Sequence, residues 1–279
     1  MDSHRLIPRL SAVPETMLWT RHNRVSEAIL EKGILHDPDA VKIYQTLNYD
    51  FKKSFGPAEP SHAIRSAMFD AELDTFLKQH KNGVIVNLGE GLETQRFRVA
   101  GDDALWLSVD VPEAIAIRER FISPDDHHLH IRRSVLDRLW FNEVPTDRPI
   151  YITAQGLLMY LPEEQVRLLF QDFAMHFPEA WFAFDTIPGW LPRKTTSVTG
   201  WKKTVHYTTP KMPWGIDRYR IKSTLQDWVP TLDEVTDLPW WRFPRGVGRW
   251  LFPILTATPI LRRYTPAITR IQFASEEVR

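Results

Sequence analysis

A chain of 279 residues is long enough to bury a full core, and its 43% apolar and 25% charged content is that of an ordinary globular protein. Lysine plus arginine equals aspartate plus glutamate at 35 each, so there is no net basic field to attract nucleic acid, and none is expected as a partner. The absence of cysteine excludes disulfides, thiolate metal ligands and a cysteine nucleophile.

The amino-terminal stretch MDSHRLIPRLSAVPETM has charges and prolines where a secretory signal needs an apolar centre. No run reaches the roughly 18 apolar residues of a membrane span, so a cytoplasmic location without stable membrane association is the expectation. From Thr16 to Glu31, Val25, Ala28, Ile29 and Leu30 predict a helix ending at Lys32-Gly33, ahead of the turn His36-Asp37-Pro38-Asp39. A second helical region runs to about Asn48. Between Ser61 and His80, the apolar residues Ile64, Met68, Ala71, Leu73, Phe76 and Leu77 form one face of a helix suited to pack on a sheet.

The rhythm then changes to alternating strands and helices. Strands are predicted at Val84 to Leu88, Leu105 to Asp110, weakly at Leu129 to Arg132, then at Ile150 to Ala154 and Trp181 to Ile187. Helices from about Thr94, Pro112 and Pro162 lie between them. Further strands at Leu232 to Leu238 and Ala267 to Phe273 complete the set. The fold class is α/β, a seven-stranded, mostly parallel sheet with helices on both faces and a late hairpin. One domain is expected, with a helical cap over residues 1–82, a cofactor-binding core over 83–188, a substrate-side insertion over 189–250 and the last strand region over 251–279.

The insertion holds seven of the eleven tryptophans, which either pin irregular loops to the body or line an acceptor pocket. The apolar run Gly246 to Leu261 is broken by Pro253 and Pro259, so burial under the sheet or in a homodimer contact is expected over a membrane-surface helix. His127, His128 and His130 lack an acidic partner at ligand spacing, and no metal site is expected.

The most informative stretch is VIVNLGEGLETQRFR. A buried strand runs into Gly89 and Gly91, whose backbones can turn tightly beside a ligand. About twenty residues on, a second strand ends in Asp110, a carboxylate able to accept hydrogen bonds from both hydroxyls of a ribose. NAD and S-adenosylmethionine (SAM) both fit that spacing, and a glycine turn without a nucleotide is the remaining alternative. The missing third glycine, with Glu90 and Glu93 where a pyrophosphate would sit, favours SAM.

These residues resemble the leucine carboxyl methyltransferase superfamily, in particular its bacterial polyketide-type (tetracenomycin-like) O-methyltransferases. The family's VNLGxGxDTxxxR motif is similar to Val86-Asn87-Leu88-Gly89-Glu90-Gly91-Leu92-Glu93-Thr94 running into Arg96 and Arg98. Its VDxPE element resembles Val109-Asp110-Val111-Pro112-Glu113, and its AEGxLMYL motif resembles Ala154-Gln155-Gly156-Leu157-Leu158-Met159-Tyr160-Leu161. The arginine helix resembles Ile64-Arg65-Ser66-Ala67-Met68-Phe69-Asp70, the early turn His36-Asp37-Pro38-Asp39-Ala40, and the late WGI element Met212-Pro213-Trp214-Gly215-Ile216-Asp217.

The resemblance implies a class I methyltransferase fold that binds SAM, releases S-adenosylhomocysteine and methylates an oxygen of a small-molecule acceptor. It implies that Gly89 and Gly91 lie beneath the methionine part, Asp110 on the ribose, and Arg65, assisted by Arg24, on the methionine carboxylate. Two positions depart from the pattern. Gln155 replaces the glutamate that receives the cofactor's ammonium group, and Ser134, beside Val135, falls where an acidic residue contacts adenine, a contact Asp137 would take over if the turn shifted. A carboxylate or acidic phenol acceptor needs no base. An alcohol would need one, for which His206 and Tyr207 are candidates, while Tyr160 is placed to border the methyl pocket. A catalytically inert protein that keeps the fold and an NAD-linked oxidoreductase are the competing readings.

Overall fold

A computed structural model describes residues 13–275, so most of the stretch read for a secretory signal, through residue 12, lies outside the described residues. Four helices come first: α1 (Thr16–Ala28), α2 (Pro38–Thr46), α3 (Phe51–Phe55) and α4 (Ser61–Gln79). The sheet begins with β1 (Val84–Leu88) and β2 (Leu105–Asp110), followed by α5 (Pro112–Arg118), β3 (His128–Arg132), β4 (Ile150–Ala154), α6 (Glu163–His176) and β5 (Trp181–Thr186). The remainder is α7 (Trp190–Thr196), α8 (Ile221–Trp228), β6 (Leu232–Leu238), α9 (Gly248–Ala257), α10 (Pro259–Arg262) and β7 (Ala267–Phe273).

The seven strands form one sheet in the order β3-β2-β1-β4-β5-β7-β6, and β7 runs antiparallel to both its neighbours. This is the class I methyltransferase fold with its late hairpin. All five residues of β1 are buried, and their alternation sends side chains to two separate layers. Val84, Val86 and Leu88 join Val166, Leu169, Phe170 and Phe173 of α6 on one face. Ile85 joins Ile64, Met68, Phe69, Leu73, Phe76 and Leu77 of α4 on the other. Each such Leu or Phe contributes about 1.5–3 kcal/mol through burial, which is why the two helices are held against the sheet.

Local sequence explains several boundaries. The Asp37 carboxylate accepts the Ala40 N–H at 2.8 Å and caps α2, and Asp50 caps α3 in the same way through Lys53 at 3.0 Å. Helix α1 stops at Ala28, three residues before the predicted Glu31 end, and leaves Ile29 and Leu30 exposed. Gly33 marks the close return of the chain: a Cβ there would lie 1.9 Å from the Glu27 carbonyl oxygen.

Two expectations are corrected. In place of a helix from Thr94, only a single 3₁₀ turn, Gln95–Phe97, follows the glycine loop. Thr94 and Glu93 put their side chains into buried polar contacts there, which fixes an irregular path. The run from Gly246 to Leu261 is not buried under the sheet. It forms α9 and α10, neither of which contains a buried residue.

Candidate active site

Strand register builds the site. Leu88 of β1 pairs with Val109 of β2 and with Ala154 of β4, and Ala154 pairs with Phe184 of β5. The next residue along each strand is therefore Gly89, Asp110, Gln155 and Asp185. These four stand in a row at the carboxyl ends of adjacent parallel strands. The row brackets the β1/β4 junction, where the direction of chain connection reverses and ligands of open α/β sheets bind.

A cavity of about 280 Å³ opens over this row. Its wall includes Arg24, Arg65, Gly89, Gly91, Asp110, Ser134, Val135, Gln155 and Tyr160 of the predicted residues. Asp137 and His206 are absent from it. The Asp137 carboxylate caps Leu139 N–H at 3.0 Å and pairs with Arg133 at 2.8 Å, so its turn holds it away from the cavity. His206 is exposed and outside the cavity wall, its backbone N–H donated to Thr204 Oγ1, so as a candidate base it does not reach the cavity. Tyr207 is buried instead against Trp19 and Phe55.

The glycine loop is held in a ligand-ready shape. Gly89 and Gly91 have φ of +60° and +54°, a left-handed backbone in which a side chain costs about 1–2 kcal/mol. The Arg118 guanidinium of α5 donates to the carbonyls of Gly91 at 3.0 Å and Glu93 at 2.7 Å and pairs with Glu90 at 3.0 Å. Asp110 closes the loop by accepting the N–H groups of Gly91 and Val111, both at 2.8 Å. A Cβ added at Gly89 would also sit 2.8 Å from Leu157. Gly89→Ala is expected to lower stability by about 1–2 kcal/mol and SAM affinity about tenfold, read by urea denaturation and calorimetry. Wild-type behaviour in both would contradict this account of the loop.

Both acidic side chains of the loop are paired. Glu90 receives Arg118, Asn87 and Ser108, and Glu93 receives Arg24 and Arg98. Their charge is therefore a weaker barrier to a pyrophosphate than the sequence suggested. The backbone supplies the stronger argument, since a dinucleotide's pyrophosphate rests on the first turn of an α-helix following β1, and none is present.

Several groups on the wall are left without partners, and these mark what the cavity can hold. Asn87 Oδ1, Thr153 Oγ1 and Gln155 Oε1 are buried acceptors with no hydrogen bond, as is the donor Arg65 Nε. Buried orphans of this kind cost free energy until a ligand satisfies them. An amino-acid moiety would do so, with its ammonium group at the oxygens and its carboxylate at the guanidinium. Arg65 is buried, donates to Asp185 Oδ2 at 2.9 Å and would clash with any side chain at Gly156, whose N–H donates to Asp185 Oδ1 at 2.5 Å. Asp185 was missed by sequence reasoning. Its signal was present, an acid ending a buried strand, but its partner Arg65 lies 120 residues away.

The histidines are committed elsewhere. His128 Nε2 meets Ser108 Oγ at 2.8 Å and burial pushes its imidazole down to about 2, while His130 lies within 3.4 Å of Glu119 and accepts from Arg118. Among the described residues no three His, Cys, Asp or Glu side chains converge on a common point suited to a metal. The tryptophan-rich insertion contributes no wall residue to the cavity. Beside Tyr160 the wall is formed by Val13, Pro14, Thr16, Met17 and Thr20, and Trp201 packs against the same apolar clusters.

Comparison with known proteins agrees with this geometry. The chain is 28% identical over 262 residues to the Tetracenomycin polyketide synthesis O-methyltransferase TcmP of Streptomyces glaucescens, covering 91% of this chain and 94% of that protein. It is 23% identical over 189 residues to the S-adenosyl-L-methionine-dependent methyltransferase dpfgK of Gibberella zeae, covering 61% and 63%. Among solved structures, a DUF574 family protein from Streptomyces avermitilis shares the fold, with a TM-score of 0.51 at 8% identity over 76% of this chain and 83% of that one. The Leucine carboxyl methyltransferase family matches residues 27–174, more than half of the chain, and it is to this family of methyltransferases that the protein belongs.

Proposed function

We propose that this protein is a SAM-dependent O-methyltransferase acting on a carboxylate or phenolic hydroxyl of a small, polyketide-like acceptor. One observation carries the reading: unpartnered buried acceptors and an arginine donor face the cavity beside the Gly89-Asp110-Gln155 row. In this assignment Arg65 and Arg24 take the methionine carboxylate, Gln155 and Asn87 the ammonium group, and Asp110 the ribose hydroxyls. Val135 and Ser134 border the adenine.

When bound, SAM supplies an electrophilic methyl group on a sulfonium centre. The chain's own residues supply alignment and a dry wall, worth up to roughly 7–11 kcal/mol by proximity. Burial pushes the Tyr160 hydroxyl up to about 12, so near neutral pH it is protonated and does not serve as a general base. No imidazole lines the cavity among its described wall residues. Those two facts favour an acceptor that is already an anion, which requires no general base. The whole chain is read as one catalytic unit, with α1 and Arg65 near the start of α4 bordering the cavity.

Calorimetric titration with SAM, S-adenosylhomocysteine and NAD tests the cofactor. Micromolar binding of the first two and none of NAD is the expected result, followed by methyl transfer in a screen of phenols and carboxylic acids. Silence from all three would favour an inert relative that retains the fold. Gln155 offers a neutral acceptor where a carboxylate would add a charge-assisted bond of about 1–1.5 kcal/mol. Gln155→Glu is therefore expected to tighten SAM binding about five- to tenfold, and an unchanged Kd would remove Gln155 from the ammonium site.

A further inference from the structure

We propose that the segment from Pro239 to Pro266 is a membrane-surface element that seats α9 and α10 in the headgroup region of an anionic phospholipid bilayer. The proposal goes beyond methyl transfer and does not depend on it. Between these prolines the chain carries five arginines, Arg242, Arg245, Arg249, Arg262 and Arg263, and no aspartate, glutamate or lysine. The rest of the chain has more acidic than basic residues, so this is a concentrated cationic block, of which Arg245 pairs with Glu27 and Arg262 with Asp237.

The same segment holds a crest of exposed apolar side chains. Val247, Trp250, Leu251 and Ile254 recur at helical spacing along one side of α9, at 77%, 73%, 49% and 60% exposure, and Ile260, Leu261 and Tyr264 extend the crest through α10. The opposite side is anchored. Phe252 packs on Trp240 and Phe243, which rest against the second core layer, and the Trp240 indole N–H donates to the Pro266 carbonyl at 2.8 Å. The element is thus fixed to the body with its apolar side turned outward. Tryptophan and aliphatic residues outward, in a segment whose charged residues are all arginine, is the composition of an in-plane interfacial helix, and the prolines, Pro253 within α9 and Pro259 opening α10, are accommodated in it.

A separate observation points to an anionic headgroup. A cavity of about 340 Å³ beneath α9 is lined by Arg218, Arg242 and Arg262 together with Trp240, Trp241 and Phe252. Arg218 and Arg262 share the single carboxylate of Asp237, at 2.6 and 3.1 Å, and Arg242 makes no ion pair among the described residues. Cationic charge exceeds anionic charge there, which suits a phosphodiester. A second copy of this chain is a poorer occupant, because a two-fold contact would set arginines against arginines.

The placement is consistent with use. Thr186 of β5 pairs with Ala267, and Leu238 of β6 with Ile268, so the segment leaves and rejoins the sheet at its carboxyl edge, where the candidate active site lies. Membrane seating would turn that edge toward the lipid and favour apolar acceptors.

Co-sedimentation of the whole protein with vesicles of phosphatidylcholine and phosphatidylglycerol, against vesicles of phosphatidylcholine alone, tests this. Binding to the anionic vesicles is expected, with a blue shift of tryptophan emission. It should weaken about tenfold or more in 0.5 M salt and in Ile254→Asp, whose exposed position leaves the fold and SAM binding intact. No partition onto anionic vesicles, equal binding by Ile254→Asp, or a dimer that this substitution breaks without any vesicle binding would each overturn the proposal. SAM titration of the same preparations reports separately on the active site.

Discussion

Asp110→Ala is expected to weaken SAM binding by about 100-fold or more, because two charge-assisted hydrogen bonds of about 1.5–3 kcal/mol each are removed from the ribose and the loop clasp opens. The carboxylate accepts the Gly91 and Val111 N–H groups as well, so its loss leaves two loop donors unmatched. Asp110→Asn keeps the shape and one acceptor and should fall between wild type and alanine. Affinity unchanged in Asp110→Ala would remove this residue from the ribose site.

The same group predicts a pH dependence. Burial pushes Asp110 up to about 6, with the two loop N–H groups opposing and Glu90 adding to the rise. Its proton is therefore held more tightly in the folded chain than in the unfolded one. By linkage, stability from this group increases as pH falls from about 6 toward the ordinary carboxylate range, and the ionised form is costly at neutral pH. Ribose hydroxyls relieve that cost by donating to it. SAM affinity should accordingly decline as pH drops through about 6, and calorimetry between pH 5 and 8, on the order of one titrating carboxyl, would show it.

Arg98→Ala is expected to cost about 3–5 kcal/mol of stability, lowering the melting temperature on the order of 10 °C, because it strips Asp37 and Asp70 of the cation they pair with and leaves Glu93 with Arg24 alone. Arg98 donates to Asp37 at 2.6 Å, to Asp70 at 2.7 Å and to Glu93 at 2.7 Å. Burial works against its charge, yet Asp70 and Asp37 overcome that and hold the guanidinium above its usual range. Burial likewise raises Asp37, and Arg98, Thr94 and the Ala40 N–H outweigh it, leaving Asp37 below its usual value. Stability from Asp37 is thus present above the ordinary carboxylate range and lost as pH falls through the lowered value. The cluster ties the α2 cap, α4 and the glycine loop together, so Arg98→Ala should also loosen the cofactor site. A melting temperature within a degree or two of wild type would show that water or neighbouring arginines compensate.

Arg98 also illustrates why a motif residue can be recognised before its work is understood. The order of VNLGEGLET, Arg96 and Arg98 was evident in the sequence, as was the early His36-Asp37-Pro38 turn. Their meeting was not, because Arg98 and Asp37 stand 61 residues apart and no local pattern records which charges share a cluster.

The strands were legible in the chain itself: β1, β2 and β4 are short apolar runs buried in the sheet, and these three with β6 and β7 have the bounds expected of them. The sequence also determined the glycine loop and the strand-end Asp110, because tight left-handed turns and an acid at a strand's end are local features. Which residues line the cavity, and which hold those that do, was settled by contacts between distant segments. Strand register brought Asp185 into line with Asp110 and Gln155, a neighbouring arginine turned Asp137 away, and solvent left His206 exposed. The tertiary structure alone decided that the apolar crest of α9 and α10 faces outward. Periodicity reveals that a helix side is apolar, whereas what covers that side depends on elements distant in the chain.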